Sequence, residues 1–133
     1  MTITPVYAGL LALIFVLLSL RVISGRRSTG TALGDGDDRL LLRRLRAHGN
    51  FAEYAPLAIV LMALIEWQEA PGLLLHAIGA CLLVGRLLHA FGVSQEPETY
   101  KLRVTGMALT FTALIIGALA NLALASFSLA PPA

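Results

Sequence analysis

Arg46, Asn50 and Glu53 recur at i, i+4 and i+7 in the segment L-R-A-H-G-N-F-A-E-Y-A-P, residues 45–56. On a helix, those spacings share one face. Arg39 and Arg43 extend the same stripe, and Tyr54 stands one turn beyond Asn50. A second group, Arg86 and His89, is spaced i and i+3. Arg103 and the pair Arg26 and Arg27 complete the set. Arginine forks hold carboxylates through paired hydrogen bonds. An asparagine both donates and accepts. Glu53 suits an ammonium group and would also balance Arg46. The set therefore fits a small anion with several carboxylates and one amine better than a phosphate. There is no glycine-rich phosphate loop and no zinc-type ligand cluster, so no metal is expected.

These polar residues sit in an apolar chain. Of its 133 residues, 57% are apolar and only 14% are charged. An ordinary soluble domain carries roughly 25% charged residues. Mean hydropathy is strongly positive. One domain over residues 1–133 is expected, with lipid as the solvent for most of it. The net charge of +2 does not point to nucleic acid, because the cations cluster at the ends of apolar runs and form no stripe. The lone cysteine, Cys81, excludes an internal disulfide framework and reads as a small buried hydrophobe.

The apolar runs give spans of about 3–23, 39–67, 73–91 and 104–127, each near the ~20 residues that a bilayer crossing needs. The fold class is an all-α integral membrane protein: a four-helix, up-down bundle. No positive region precedes the first span, so it reads as an anchor and not as a cleavable signal. Residues 24–38 hold Gly25, Gly30, Gly34 and Gly36 with three aspartates, the composition of a loop. Asp37 or Asp38 would cap the second helix. Pro56 removes a backbone donor inside that helix and is a candidate kink. Residues 92–99, with Pro97, break the third span, and Pro131 and Pro132 close the chain.

All ten cations lie at one end of this scheme. Arg21, Arg26, Arg27, Arg39, Arg43, Arg44 and Arg46 flank the first connection; Arg86, Lys101 and Arg103 flank the third. The positive-inside rule then puts both connections in the cytoplasm and both termini on the other side. Helix-end arginines often only snorkel and set topology, and Arg39, Arg43 and Arg44 are read first in that way. The deeper stripe of Arg46, Asn50 and Glu53 is read as functional, because polar groups at membrane depth are costly. His89 stands between packing and function. His76, Thr105, Thr110, Thr112 and Asn121 are read as structural, with side chains able to bond between helices.

The motif R-A-H-x-N-x-x-E-Y-x-P over Arg46–Pro56 resembles the signature of the membrane-associated proteins in eicosanoid and glutathione metabolism, the MAPEG family. V-I-S-G-R-R at 22–27, G-R-L-L-H at 85–89 and L-R at 102–103 fit the same pattern in order. The family includes microsomal glutathione transferases, leukotriene C synthase and microsomal prostaglandin E synthase. The short loops look like the bacterial branch, which implies an inner-membrane location. The resemblance further implies a homotrimer that binds glutathione between subunits near the cytoplasmic face. Arg46, Asn50, Glu53 and Tyr54 would hold the glutathione backbone, with His48 nearby. Arg26 or Arg27 would reach it from the first helix, and Arg86 and His89 from the third. Arg103 matches the arginine thought to stabilise the thiolate in the eicosanoid-forming members.

One position departs from that pattern. The eicosanoid-forming members carry a tyrosine one turn beyond the His89 position, where this chain has Val93. Tyr100, expected in the following loop, is the candidate substitute. Thiol activation otherwise rests on Arg103 through electrostatic stabilisation of the thiolate. The resemblance thus implies a transferase or peroxidase in which a glutathione thiolate attacks a lipophilic electrophile arriving from the bilayer. The alternative is a non-catalytic glutathione- or anion-binding membrane protein. A small proton-coupled transporter using Glu53 ranks third, because nearby arginines would keep that carboxylate ionised.

Overall fold

The computed structural model describes residues 1–129, with side chains as far as Ser126; Pro131 and Pro132 lie outside the described residues. Four helices follow one another, and the described residues contain no strand: α1 (Thr4–Thr29), α2 (Arg39–Trp67), α3 (Gly72–Ser94) and α4 (Tyr100–Leu129). All four are long and apolar enough to cross a bilayer. The chain is a multi-pass integral membrane protein.

The expected span around 39–67 agrees with α2. Asp38 caps it, its carboxylate accepting the Leu41 N–H at 2.6 Å. Pro56 lies within α2, which continues through it to Trp67. The other boundaries move outward. α1 runs on through Ser24 and Gly25 to Thr29, where Gly30, in the left-handed region at φ 68°, ends it. Arg26 and Arg27 fall in its last turn, where cations favour the helix dipole. Gly25 is not a breaker, because α2 needs the space. A Cβ there would lie 3.0 Å from both Leu41 and Arg44. Likewise α3 passes through Gly92 to Ser94, and α4 starts at Tyr100, not at 104. The Thr99 carbonyl accepts the Arg103 N–H, so Tyr100 belongs to the first turn of α4 and not to the expected loop.

Two hairpins result. α1 packs on α2 and α3 on α4, and α2 joins the pairs; α1 meets only the flank of α3 and, among the described residues, does not touch α4. The core between them is aliphatic: Leu11, Phe51, Met62, Ile65, Leu75, Ile78 and Leu82 are fully buried. Cys81 packs partly buried against this core. The α3–α4 seam is the tightest contact. A Cβ on Gly106 would meet the Gly85 carbonyl oxygen at 2.6 Å, and one on Gly92 would meet the Arg103 backbone nitrogen at 2.6 Å. Small residues allow such close approach between membrane helices.

At the end away from the cations, Glu66 of α2 caps α1. Its carboxylate accepts the N–H groups of Thr2, Ile3 and Thr4, the latter two at 2.8 Å. These are orphan donors of a helix N-terminus, held here by a residue more than sixty positions away. Asn121 ties α4 to α2, donating to the Leu61 carbonyl and accepting from Gln68. His76 meets the Tyr7 hydroxyl at 3.2 Å. Thr110, by contrast, bonds within its own helix, to the Gly106 carbonyl.

Candidate functional site

At the cation-rich end a cleft of about 470 Å³ opens between α2, the end of α3 and the start of α4. α2 supplies Arg39, Arg43, Arg46, Asn50 and Glu53, one per helical turn along a single face. The spacing read from the sequence therefore does build one wall. His89 and Val93 line the cleft from α3, Glu98 from the α3–α4 connection and Arg103 from the first turn of α4. Arg39 and Arg43, whose helix-end position suits a topological role, also line this cleft.

The close α3–α4 seam sets the second wall. Because Gly92 and Gly106 bear no side chain, the two backbones approach until the His89 ring nitrogen Nδ1 lies 3.2 Å from the Arg103 carbonyl oxygen. His89 is buried and thereby fixed in rotation.

Charge is unevenly satisfied around the cleft. Among the described residues, the ion pairs are Arg39–Glu96 at 3.8 Å, Arg43–Glu98 at 3.5 Å and Arg103–Glu98 at 3.1 Å. Arg46 and Glu53 belong to none of them, so the expected balance between those two is not made by direct contact. Both side chains line the cleft and are exposed to it. Glu98 was not singled out by the sequence reading. It lies in the α3–α4 connection, where no helical period connects it to Arg43.

Arg86 lies behind this surface and is 1% exposed. Its guanidinium donates to the Asn50 side-chain oxygen at 2.8 Å, to the Asn50 carbonyl at 3.2 Å and to the Met107 sulfur at 3.4 Å. It also stands 5.7 Å from the centre of the Tyr54 ring, a cation–π distance. With its oxygen taken by Arg86, Asn50 has its amide N–H groups left for the cleft. Tyr54 is wedged between Arg86 and the edge of Phe111 of α4 and does not line the cleft.

Besides Arg86 and Tyr54, three more expected site residues lie outside the cleft lining, and these three do not touch its walls from behind as Arg86 does. Arg26 turns back on its own helix end and donates to the carbonyls of Thr31 and Ala32. Arg27 is exposed at the end of α1. His48 faces α1, stacked on Phe15 at 4.7 Å with Nε2 3.0 Å from the Ser19 hydroxyl. The reason is helical geometry: two residues from Arg46 is about 200° of rotation.

On that same α1–α2 side lies a second, apolar groove of about 200 Å³. Phe15 and Leu11 of α1 line it with Phe51, Ala55, Pro56 and Ile59 of α2.

Comparison with known proteins gives one consistent result. Residues 4–123 match the family model described as the MAPEG family. The chain is 38% identical over 120 residues to the Inner membrane protein YecN in each of two strains of Escherichia coli, covering 90% of this chain and 90% of that protein. No solved structure matches the chain.

Proposed function

Given that this chain belongs to the MAPEG family, we propose that it is a glutathione-binding protein of a bacterial inner membrane, with the cleft at its cytoplasmic end as the binding site. The single observation that carries the reading is the α2 wall, where Arg46, Asn50 and Glu53 present a cation, an amide and a carboxylate on one face, Arg46 and Glu53 unpaired. Glutathione brings two carboxylates and an amine. Arg46 and Arg43 suit the carboxylates, Glu53 suits the ammonium, and the Asn50 amide donates to a carboxylate or peptide oxygen. Arg86 orients Asn50 and keeps Tyr54 in place. Arg26, Arg27 and His48 would contribute only from a face turned toward another copy, in keeping with a homotrimer that shares its sites.

The chemistry this site supports is thiolate transfer. Arg103, lining the cleft from the first turn of α4, would stabilise the thiolate, which attacks an electrophilic carbon of a lipophilic molecule and displaces its leaving group, the thiol proton passing to solvent. Val93 favours a second reading, binding without turnover, because it lines the cleft with an alkyl group where the eicosanoid-forming relatives carry a phenol. Tyr100 does not repair this: it is 67% exposed at the start of α4 and lies outside the cleft lining.

The test is calorimetric titration of glutathione into the detergent-purified protein, alongside Arg46→Ala and Glu53→Gln. Binding that either substitution abolishes supports the site. A folded wild-type protein that takes up no glutathione removes the proposal.

A further inference from the structure

We propose that Glu98 is a specificity-determining residue of the cleft, holding from within the chain the arginine nitrogens that a ligand carboxylate must take. The inference rests on reading the cleft as a carboxylate site, and it stands whether or not glutathione is the ligand.

Both oxygens of Glu98 reach Arg103 Nη1, at 3.2 and 3.1 Å, and one reaches Arg43 Nη1 at 3.5 Å. Only one nitrogen of each guanidinium is engaged, so neither arginine makes the paired, two-nitrogen fork that it forms with a well-placed carboxylate. The side chains are also partly open to solvent: 46% for Arg103, 31% for Glu98 and 23% for Arg43. Ion pairs of that kind are weak and exchange readily. Glu98 therefore resembles a placeholder more than a lock.

Its position explains what it would select. Glu98 sits on Arg43 and Arg103 at one end of the α2 stripe, whereas Arg46 and Glu53, unpaired, lie further along α2 from Arg43. A molecule with a single carboxylate has to displace the tethered Glu98 unaided and competes poorly with it. A molecule that is also anchored at Arg46 or Glu53 presents its second carboxylate to Arg43 and Arg103 at high effective concentration and displaces Glu98. The internal carboxylate thus raises the threshold for simple anions and admits those with charged groups at both ends. Glu96, two residues earlier, reaches Arg39 only at 3.8 Å, and that arginine's side chain is 85% exposed, so it serves as the matched control.

The experiment titrates glutathione and, separately, glutarate and acetate into wild type, Glu98→Gln, Glu98→Ala and Glu96→Gln in detergent. Both Glu98 variants should bind acetate more tightly, by roughly fivefold, the worth of one partly exposed ion pair, and the two-ended glutarate and glutathione by a smaller factor. Glu96→Gln should match wild type. In parallel, phenylglyoxal labelling read by mass spectrometry should modify Arg103 faster in both Glu98 variants. Acetate affinity and Arg103 labelling both unchanged or lowered, a gain for glutathione or glutarate as large as that for acetate, or a Glu96→Gln effect as large as that of Glu98→Gln, overturns the proposal. Tighter glutarate binding with no glutathione binding by any of the proteins keeps Glu98 in this role and removes glutathione as the ligand.

Discussion

Arg86 donates to the Asn50 side-chain oxygen at 2.8 Å while only 1% exposed, so a buried guanidinium fixes which way a cleft-lining amide points. No carboxylate among the described residues pairs with Arg86. Its charge is met by amide and carbonyl oxygens, a thioether and the face of Tyr54.

Asn50→Ala should therefore strand part of that guanidinium and lower the stability of the folded protein by about 2 kcal/mol, the usual loss for a hydrogen bond to a charged group. Arg86→Met keeps the volume and removes the charge, so it should cost less stability than Asn50→Ala. It should still weaken ligand binding, because Asn50 is then free to turn. Thermal unfolding in detergent and titration of the same samples separate the two effects. Ligand binding by Arg86→Met at the wild-type affinity would remove the orienting role from Arg86.

Gly106→Ala should disrupt the α3–α4 seam. The added carbon would sit 2.6 Å from the Gly85 carbonyl oxygen, a rigid neighbour. Overpacking of that kind costs about 1–3 kcal/mol. The bond from His89 to the Arg103 carbonyl should lengthen with the seam, so binding should fall too. Gly9→Ala on α1, with nothing within 4 Å, is the control and should unfold at or above the wild-type temperature. A Gly106→Ala protein as stable as that control would show that the seam has room to spare.

Glu66→Gln should loosen the start of α1. The carboxylate accepts from Thr2, Ile3 and Thr4, and an amide oxygen makes weaker bonds to the same donors. A loss of about 1 kcal/mol is expected, typical of a helix cap. Hydrogen exchange at residues 2–6 should rise while ligand affinity stays at the wild-type value. An unchanged exchange rate there would argue that the cap is redundant.

Arg103→Leu should separate binding from chemistry. If the protein conjugates glutathione with a chloronitrobenzene, turnover should drop by about 100-fold, as when one charge-stabilising group leaves an active site. Affinity should fall by less than turnover, since Arg46, Asn50 and Glu53 remain and Arg43 still holds the second carboxylate. Equal losses in both would make Arg103 a binding residue only. Absence of conjugation by a wild type that binds glutathione would favour the reading motivated by Val93.

The α2 wall was legible because a helical period is a robust signal: Arg46, Asn50 and Glu53 fall where their spacing says they should. The same logic, applied strictly, separates His48 from Arg46, although the two are neighbours in the motif. Gly25 and Gly92 were misread as breakers. Each is a glycine inside a helix at a close interhelical contact, and composition alone does not distinguish the two uses. Glu98 was out of reach for a different reason. It meets α2 from an irregular connection, across 55 residues of sequence, and only the packing of α3 on α4 brings it there.

The apolar groove and the polar cleft lie back to back, with α2 as the partition. Phe51, Ala55 and Ile59 face one side of that helix and Arg46, Asn50 and Glu53 the other. An α-helix with its side chains is roughly 10 Å thick, far beyond the reach of a bond-forming encounter. A hydrocarbon resting in the α1–α2 groove would therefore be screened from any molecule held in the cleft of the same chain. If the cleft is a reaction site, an apolar reactant would have to reach it by a route other than this groove, and the two reactants would be segregated by which hairpin each one meets first.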